Sequence, residues 1–182
     1  MLTSPHDNVN MNYLKFWDIL LSIFSILVQQ GKILTYRIIT EDNLMKEAVA
    51  TMVIRDAPGG HEVLLLKRST RPYSGDWFAV EGMIDSGESP EEAVIREIHE
   101  ETRLTPLEIY RESTRIVPSG PAQVRLHIYV TFVSYQSTVI LNEEHTAMRW
   151  CSTDKALELL PLPAQRAALI RIQARFLNVA PQ

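Results

Sequence analysis

Glu97, Glu100 and Glu101 stand at spacings of three and four in a stretch that reads as helix. Upstream, Glu88 closes an acidic turn bounded by Gly82 and Gly87. At about 100° of rotation per residue the three helical carboxylates fall in one sector, beside an apolar stripe of Val94, Ile95 and Ile98. One flank of the helix therefore packs and the next presents oxygen. Carboxylate oxygens suit hard cations such as Mg²⁺, which keep several waters and bridge a few acidic ligands to the phosphates of a substrate. A solvated acidic face is the commoner use of such a helix. The two glycines favour the ligand reading, because a missing side chain lets a backbone carbonyl approach a bound group.

The helix that carries these groups has a strong start. Ser89 supplies an N-cap, Pro90 the first position, and Glu92 closes a capping box, so the helix is expected to run to about Arg103. Arg96 sits where it can meet Glu92 or Glu100 one turn away. Ahead of it, residues 48–54 and 62–67 are rich in β-formers, with turn residues at 56–60 between them. Their nearly continuous apolar character predicts a sheet covered on both faces. A loop at 68–76 carries Arg68 and Arg71, and a short strand is expected from Trp77 to Val80. Further strands are predicted at 107–117, 123–135 and 147–151. Helical segments follow at 153–160 and 164–177, parted by Pro161 and Pro163; the second sets Ala168, Leu169, Ile172 and Phe176 on one face. His127 reads as a strand-face residue and Cys151 as strand packing.

The chain has 182 residues, 46% hydrophobic and 22% charged, enough for one globular domain with an appendage. A net charge of -4 argues against a nonspecific grip on nucleic acid, which needs clustered Lys and Arg. A single cysteine rules out an internal disulfide and fits a reducing, cytoplasmic setting. The division expected is an N-terminal extension, 1–44, and a catalytic domain, 45–182. From Tyr13 to Gln30 a narrow polar stripe of Lys15, Asp18, Ser22, Ser25 and Gln29 runs down an otherwise apolar helix, too short for a confident span. Three readings stay open: an interfacial membrane helix, a helix docking on the domain or a partner, and a segment with no folded role. A translation start at Met45 would delete the whole extension.

The order Gly82, Glu88, Arg96, Glu97, Ile98, Glu100, Glu101 and Leu104 resembles the signature of the Nudix hydrolases, G-x5-E-x7-R-E-U-x-E-E-x-G-U with U aliphatic. Arg103 departs from it, standing where the family usually has glycine. Ahead of the box, Val80 and Glu81 replace the Pro and Gly of many members. The hairpin before the box, Trp77, Asn142 to His145, Trp150 and Pro163 to Arg166 look like members acting on nucleoside triphosphates or dihydroneopterin triphosphate. The resemblance implies an α/β/α sandwich with a mixed β-sheet. It also implies that Glu97, Glu100 and Glu101 are metal ligands, that the Gly82 carbonyl is a further one, and that Arg96 braces Glu88. Mg²⁺, or Mn²⁺ in its place, is the implied cofactor, and pairing into homodimers is frequent among relatives.

Hydrolysis of a diphosphate bridge then needs no covalent nucleophile, only a cation and a base for the attacking water. Glu101 and Glu144 are the candidate bases, Glu144 being equally readable as a solvated turn residue. Arg68 and Arg71, with Lys46 and Lys67, are candidates for holding phosphates; Tyr73, Trp77 and Phe78 are candidates for stacking a ring. The products expected from a nucleotide-like triphosphate are a monophosphate and pyrophosphate. The alternatives are a broad housecleaning activity on damaged or dinucleoside polyphosphates and a catalytically silent nucleotide sensor. No second histidine completes a zinc-protease motif after His99-Glu100, and no phosphate-binding P-loop or dinucleotide fingerprint occurs.

Overall fold

The computed structural model describes residues 45–119 and 122–178. The apolar stretch 13–30, with the helix expected there, lies outside them. The strands are β1 (Lys46–Ala57), β2 (Gly60–Arg68), β3 (Trp77–Phe78), β4 (Val80–Met83), β5 (Pro106–Ser119), β6 (Ala122–Val133) and β7 (His145–Cys151). The helices are α1 (Pro90–Thr102), α2 (Thr153–Leu159) and α3 (Pro163–Ile172), the last continued by a π-helical turn, Gln173–Leu177.

β1 organises the sheet. Along one edge it runs parallel to β6, from Lys46 opposite Val124 to Ile54 opposite Phe132. Along the other it pairs with β2 only near the hairpin, from Ile54 opposite Val63 to Ala57 opposite Gly60. Beyond that the two strands part and the chain of β3 and β4 fills the fork. Trp77 and Phe78 pair with Lys67 and Leu66 of β2, then Val80 to Met83 cross over to pair with Thr51 to Ala48 of β1. β7 covers the far edge of β2, and β5 lies outside β6. The parallel contact between β1 and β6 and the antiparallel remainder make the sheet mixed.

Alternation along the strands divides the core in two. Val49, Val53, Leu64, Leu66, Val80 and Tyr129 face α1 through its Ala93, Val94 and Ile98. Met52, Ile54, Val63, Leu65, Ile128 and Val130 face the other way, onto Ala156, Ala168, Leu169 and Ile172 of α2 and α3. The result is an α/β/α sandwich, and the nearly unbroken apolar character of β1 and β2 follows from cover on both sides.

Some boundaries differ from expectation. The strand expected at 77–80 is two short strands, so Gly82 lies in a strand rather than a loop. Glu81 and Gly82 have poor strand propensity, and pairing with β1 overrides it. α1 ends at Thr102, and Arg103 takes the left-handed conformation, φ 58°, that a glycine would adopt without strain. The final helix loosens into a π-turn at Gln173. His127 is buried on its strand and bonds Thr114 and Glu47, as a strand-face residue does.

Candidate active site

The site is built where α1 crosses the fork. Ser89 caps α1 and accepts from the Glu92 amide, while the Glu92 carboxylate accepts from the Ser89 amide at 2.8 Å. Such a box is worth about 1 kcal/mol and fixes where the helix begins. Glu92 is thereby occupied, and Arg96 turns to other acids. Its Nε and Nη2 donate to the two oxygens of Glu88 at 2.8 and 2.9 Å, and Nη2 also donates to the Met83 carbonyl at 2.8 Å. Nη1 reaches Glu97 at 2.7 Å and Glu100 at 3.3 Å. One guanidinium thus fastens the end of β4, the acidic turn, and Glu97 and Glu100 of the helix. Its bonds hold the Glu88 carboxyl below the usual range.

Gly82 is required at its position. A Cβ built there would overlap the carboxylate of Glu97, which lies directly against the β4 backbone. Burial lifts the Glu97 carboxyl above its usual range, opposed by Arg96 and assisted by Glu100 and Glu144. Glu101, one turn on, is only 4% exposed, and its Oε2 has no hydrogen-bond partner. Burial first, then the charges of Glu97, Glu81 and Glu144, push its carboxyl up to about 9, with Arg68 opposing. Glu100 points outward, its side chain 53% exposed. The three helical acids therefore occupy different depths of one sector.

The opposite wall comes from loops. The Ser69 amide donates to the Glu144 carbonyl at 2.8 Å, and the Ser69 hydroxyl to the Glu143 carbonyl at 3.0 Å, tying the segment before β7 to the end of β2. Arg68 is brought to the site, but paired: its Nη1 donates to Glu81 at 3.0 Å. Burial raises the Glu81 carboxyl, against the pull of Arg68 and of Gln165, whose Nε2 donates to it at 2.8 Å. Burial, then Arg68, depresses His145. Arg71 is exposed in its loop and makes no ion pair among the described residues. Trp77 packs on the α2–α3 side of the sheet, its ring under Arg149 at 5.1 Å and Lys67 at 5.9 Å, rather than beside the α1 carboxylates. Phe78 is buried, with Tyr73 at 5.2 Å and Arg68 over its ring at 5.7 Å. Sequence reasoning gave Glu81 and Gln165 no place in the site. The one signal for Glu81 was a carboxylate where relatives have glycine.

Among the described residues, no three acidic, histidine or cysteine side chains converge closely enough to enclose a cation. Arg96 donates to Glu97 and Glu100. The donors nevertheless fit a hard divalent ion. All are carboxylate or carbonyl oxygens, and Glu101 keeps a buried oxygen to which no described residue donates a hydrogen bond.

A mixed sheet between helices, with an arginine-braced acidic helix laid over a strand fork, defines a Nudix-type fold and site. The NUDIX domain family model matches residues 45–171, and the chain belongs to the Nudix family. An octanoyltransferase from Myxococcus xanthus is 34% identical over 131 residues, covering 69% of this chain and 36% of its own length. The chain thus spans only about a third of that relative. The asymmetrical bis(5′-nucleosyl)-tetraphosphatase of Rattus norvegicus is 29% identical over 113 residues, 59% of this chain and 76% of the relative. Among solved structures, the binary complex of the C. elegans Ap4A hydrolase is 23% identical with a TM-score of 0.64, covering 71% of this chain and 96% of that one.

Proposed function

We propose that this chain hydrolyses a diphosphate linkage in a nucleotide-like substrate with the help of a divalent cation. A nucleoside triphosphate or dihydroneopterin triphosphate would yield a monophosphate and pyrophosphate. The observation that carries the reading is Glu101, a buried carboxylate without a hydrogen-bond donor, facing Glu97, Glu81 and Glu144. Such a cluster is unfavourable in isolation and becomes favourable when a cation and a polyphosphate complete it.

In this reading Glu97, Glu100 and Glu101, with the Gly82 carbonyl, hold Mg²⁺ or Mn²⁺. When bound, the cation neutralises charge on the phosphate oxygens and acidifies water. Arg96 keeps Glu97 and Glu100 aimed while remaining bound to Glu88. Glu144 accepts the proton of the attacking water as its oxygen bonds to phosphorus and the anhydride P–O bond breaks. Arg68 and Arg71 hold terminal phosphates, Arg68 exchanging part of its contact with Glu81 for phosphate oxygen. Trp77, on the far side of the sheet, serves the substrate only if the ring extends around the fork.

A second reading, asymmetrical cleavage of a bis(5′-nucleosyl) tetraphosphate, is favoured by the similarity to the rat enzyme over most of that enzyme's length. Phosphate and pyrophosphate release should be measured with Mg²⁺ and with chelator. The panel comprises nucleoside triphosphates, dihydroneopterin triphosphate and dinucleoside tetraphosphates. Cation-dependent turnover of one member is expected. Tight nucleotide binding without any turnover would instead mark a sensor.

A further inference from the structure

Glu144 stands on a turn that one neighbouring side chain shapes. Asn142 Oδ1 accepts from the Glu144 amide, two residues on, at 3.1 Å, the geometry of an Asx turn. The Asn142 carbonyl accepts from the His145 amide at 3.4 Å, so the side chain and the backbone of one residue close the same turn. A backbone N–H can only donate, so the Asn142 amide must face Glu144 with its oxygen, whatever charge the neighbouring acids carry. That oxygen also lies 3.1 Å from His145 Nδ1, which must therefore hold a hydrogen.

From the other side, the Ser69 amide and hydroxyl donate to the carbonyls of Glu144 and Glu143. Ser69 thus fixes where the loop meets the end of β2, while Asn142 fixes how its backbone bends. These bonds all go to the backbone of residues 143–145 or to the His145 ring, and Glu144 itself is exposed. A carboxylate on a loop serves as a base only where its approach to the water is restricted, because misplacement by an ångström can cost 10²-fold. An asparagine supplies that restriction without adding a charge beside Glu97, Glu101 and Glu144, which already act on one another.

We propose, resting on the hydrolase reading above and on Glu144 as its base, that Asn142 is a positioning residue for that carboxylate. It touches neither substrate nor cation and works by bending the chain at Glu144. Its loss should therefore lower kcat and leave KM nearly alone.

The test uses the full chain at saturating Mg²⁺, with ATP or diadenosine tetraphosphate, whichever turns over faster. Asn142→Ala should lower the single-turnover rate by about tenfold or more and leave KM within about threefold. Asn142→Asp keeps an acceptor oxygen at the same reach, and at the plateau of its own pH profile should restore the rate to within about threefold of the unmodified chain. The deciding comparison is the double variant. If Asn142 acts through Glu144, adding Asn142→Ala to Glu144→Gln should slow the chain by less than about threefold further. Should Asn142→Ala not fold, Asn142→Gln, whose acceptor stands one methylene farther out, replaces it with the same expectations. Apart from activity, ¹⁵N spectra of the histidine rings should show His145 with its hydrogen on Nδ1 in the unmodified chain. An Nε2–H ring overturns the proposal, as does a variant rate within about threefold of the unmodified chain. An equal loss in both backgrounds means a turn that merely holds the loop, and overturns it too. A Glu144→Gln chain that keeps its rate leaves nothing to position; in each of these cases the hydrolase reading stands. Failure to turn over either probe removes both.

Discussion

Gly82 and Glu97 are packed so that no side chain fits between them: the Glu97 carboxylate occupies the space that a Cβ on residue 82 would fill. The glycine is a steric requirement of the acid, and the strand and the helix are registered against each other through it. Because the obstructing atoms are the far end of a flexible side chain, Gly82→Ala should displace Glu97 rather than unfold the domain. A stability loss of about 1 kcal/mol or less is expected, small for an insertion into a packed contact. Hydrolysis should fall by about 10²-fold, as is common when a catalytic group is misplaced by an ångström. Urea unfolding and steady-state kinetics on the same preparation separate the two effects; a loss of activity matched by unfolding would mean that the contact is structural only.

Glu101 should make the metal-free chain less stable as pH rises. Its carboxyl is pushed up to about 9 in the folded state, so from about 4.5 upward the folded chain holds a proton that the unfolded chain has released. Stability then falls with pH across that window, by at most about 1.4 kcal/mol per unit. Below it both states are protonated and the dependence disappears. Urea titrations in chelator at pH 6, 7 and 8 should show the decline, and Glu101→Gln should flatten it. Added Mg²⁺ should also reduce the slope if it binds the ionised form. A flat profile in chelator would mean that Glu101 is solvated in solution.

How far the sequence could reveal this site depended on whether a residue's partners were near it in the chain. Ser89, Pro90 and Glu92 announced the start of α1 because capping is local, and the apolar runs of β1 and β2 announced a doubly covered sheet. Helical spacing led Arg96 to be expected at Glu92 or Glu100. It reaches Glu100, but Glu92 is held by the cap, and Glu88, which it also binds, lies across a turn that periodicity does not describe; only the family resemblance pointed to that pair. Glu81 and Gln165, 84 positions apart, meet only because the fork and α3 converge. Trp77 was grouped with Phe78 as a candidate ring-stacking residue, yet strand alternation sends the two to opposite faces of the sheet.

Arg103 closes α1 in a conformation that suits glycine, with φ 58° and its amide donating to the His99 carbonyl. A side chain in this region is unfavourable by about 1 kcal/mol, partly offset by the greater freedom of glycine in the unfolded chain. Arg103→Gly should therefore stabilise the domain modestly, by about 0.5 to 1 kcal/mol, which thermal unfolding would register as a few degrees. Turnover should be nearly unchanged, since the Arg103 side chain meets only His99 at 3.4 Å among the described residues. A destabilised variant would mean that this contact outweighs the backbone strain.

Glu144 is the group whose role most depends on chemistry rather than on packing. Its backbone carbonyl is anchored by the Ser69 amide at 2.8 Å, while its side chain is exposed and faces Glu97 and Glu101 closely enough to raise both carboxyls. An anchored backbone with a free carboxylate is what a proton acceptor for an attacking water requires. Glu144→Gln preserves shape and anchor and removes only basicity and charge. Stability should hardly change, because the side chain is solvated, while kcat at saturating Mg²⁺ should fall by 10²-fold or more if it takes the proton. Single-turnover rates across pH would locate the effect: loss of the base removes a limb of the profile, whereas weaker cation binding shifts the Mg²⁺ dependence and is recovered at high Mg²⁺. Turnover within about threefold of the unmodified chain would pass the role of base to Glu101, whose carboxyl would then need the bound cation to shed its proton at neutral pH.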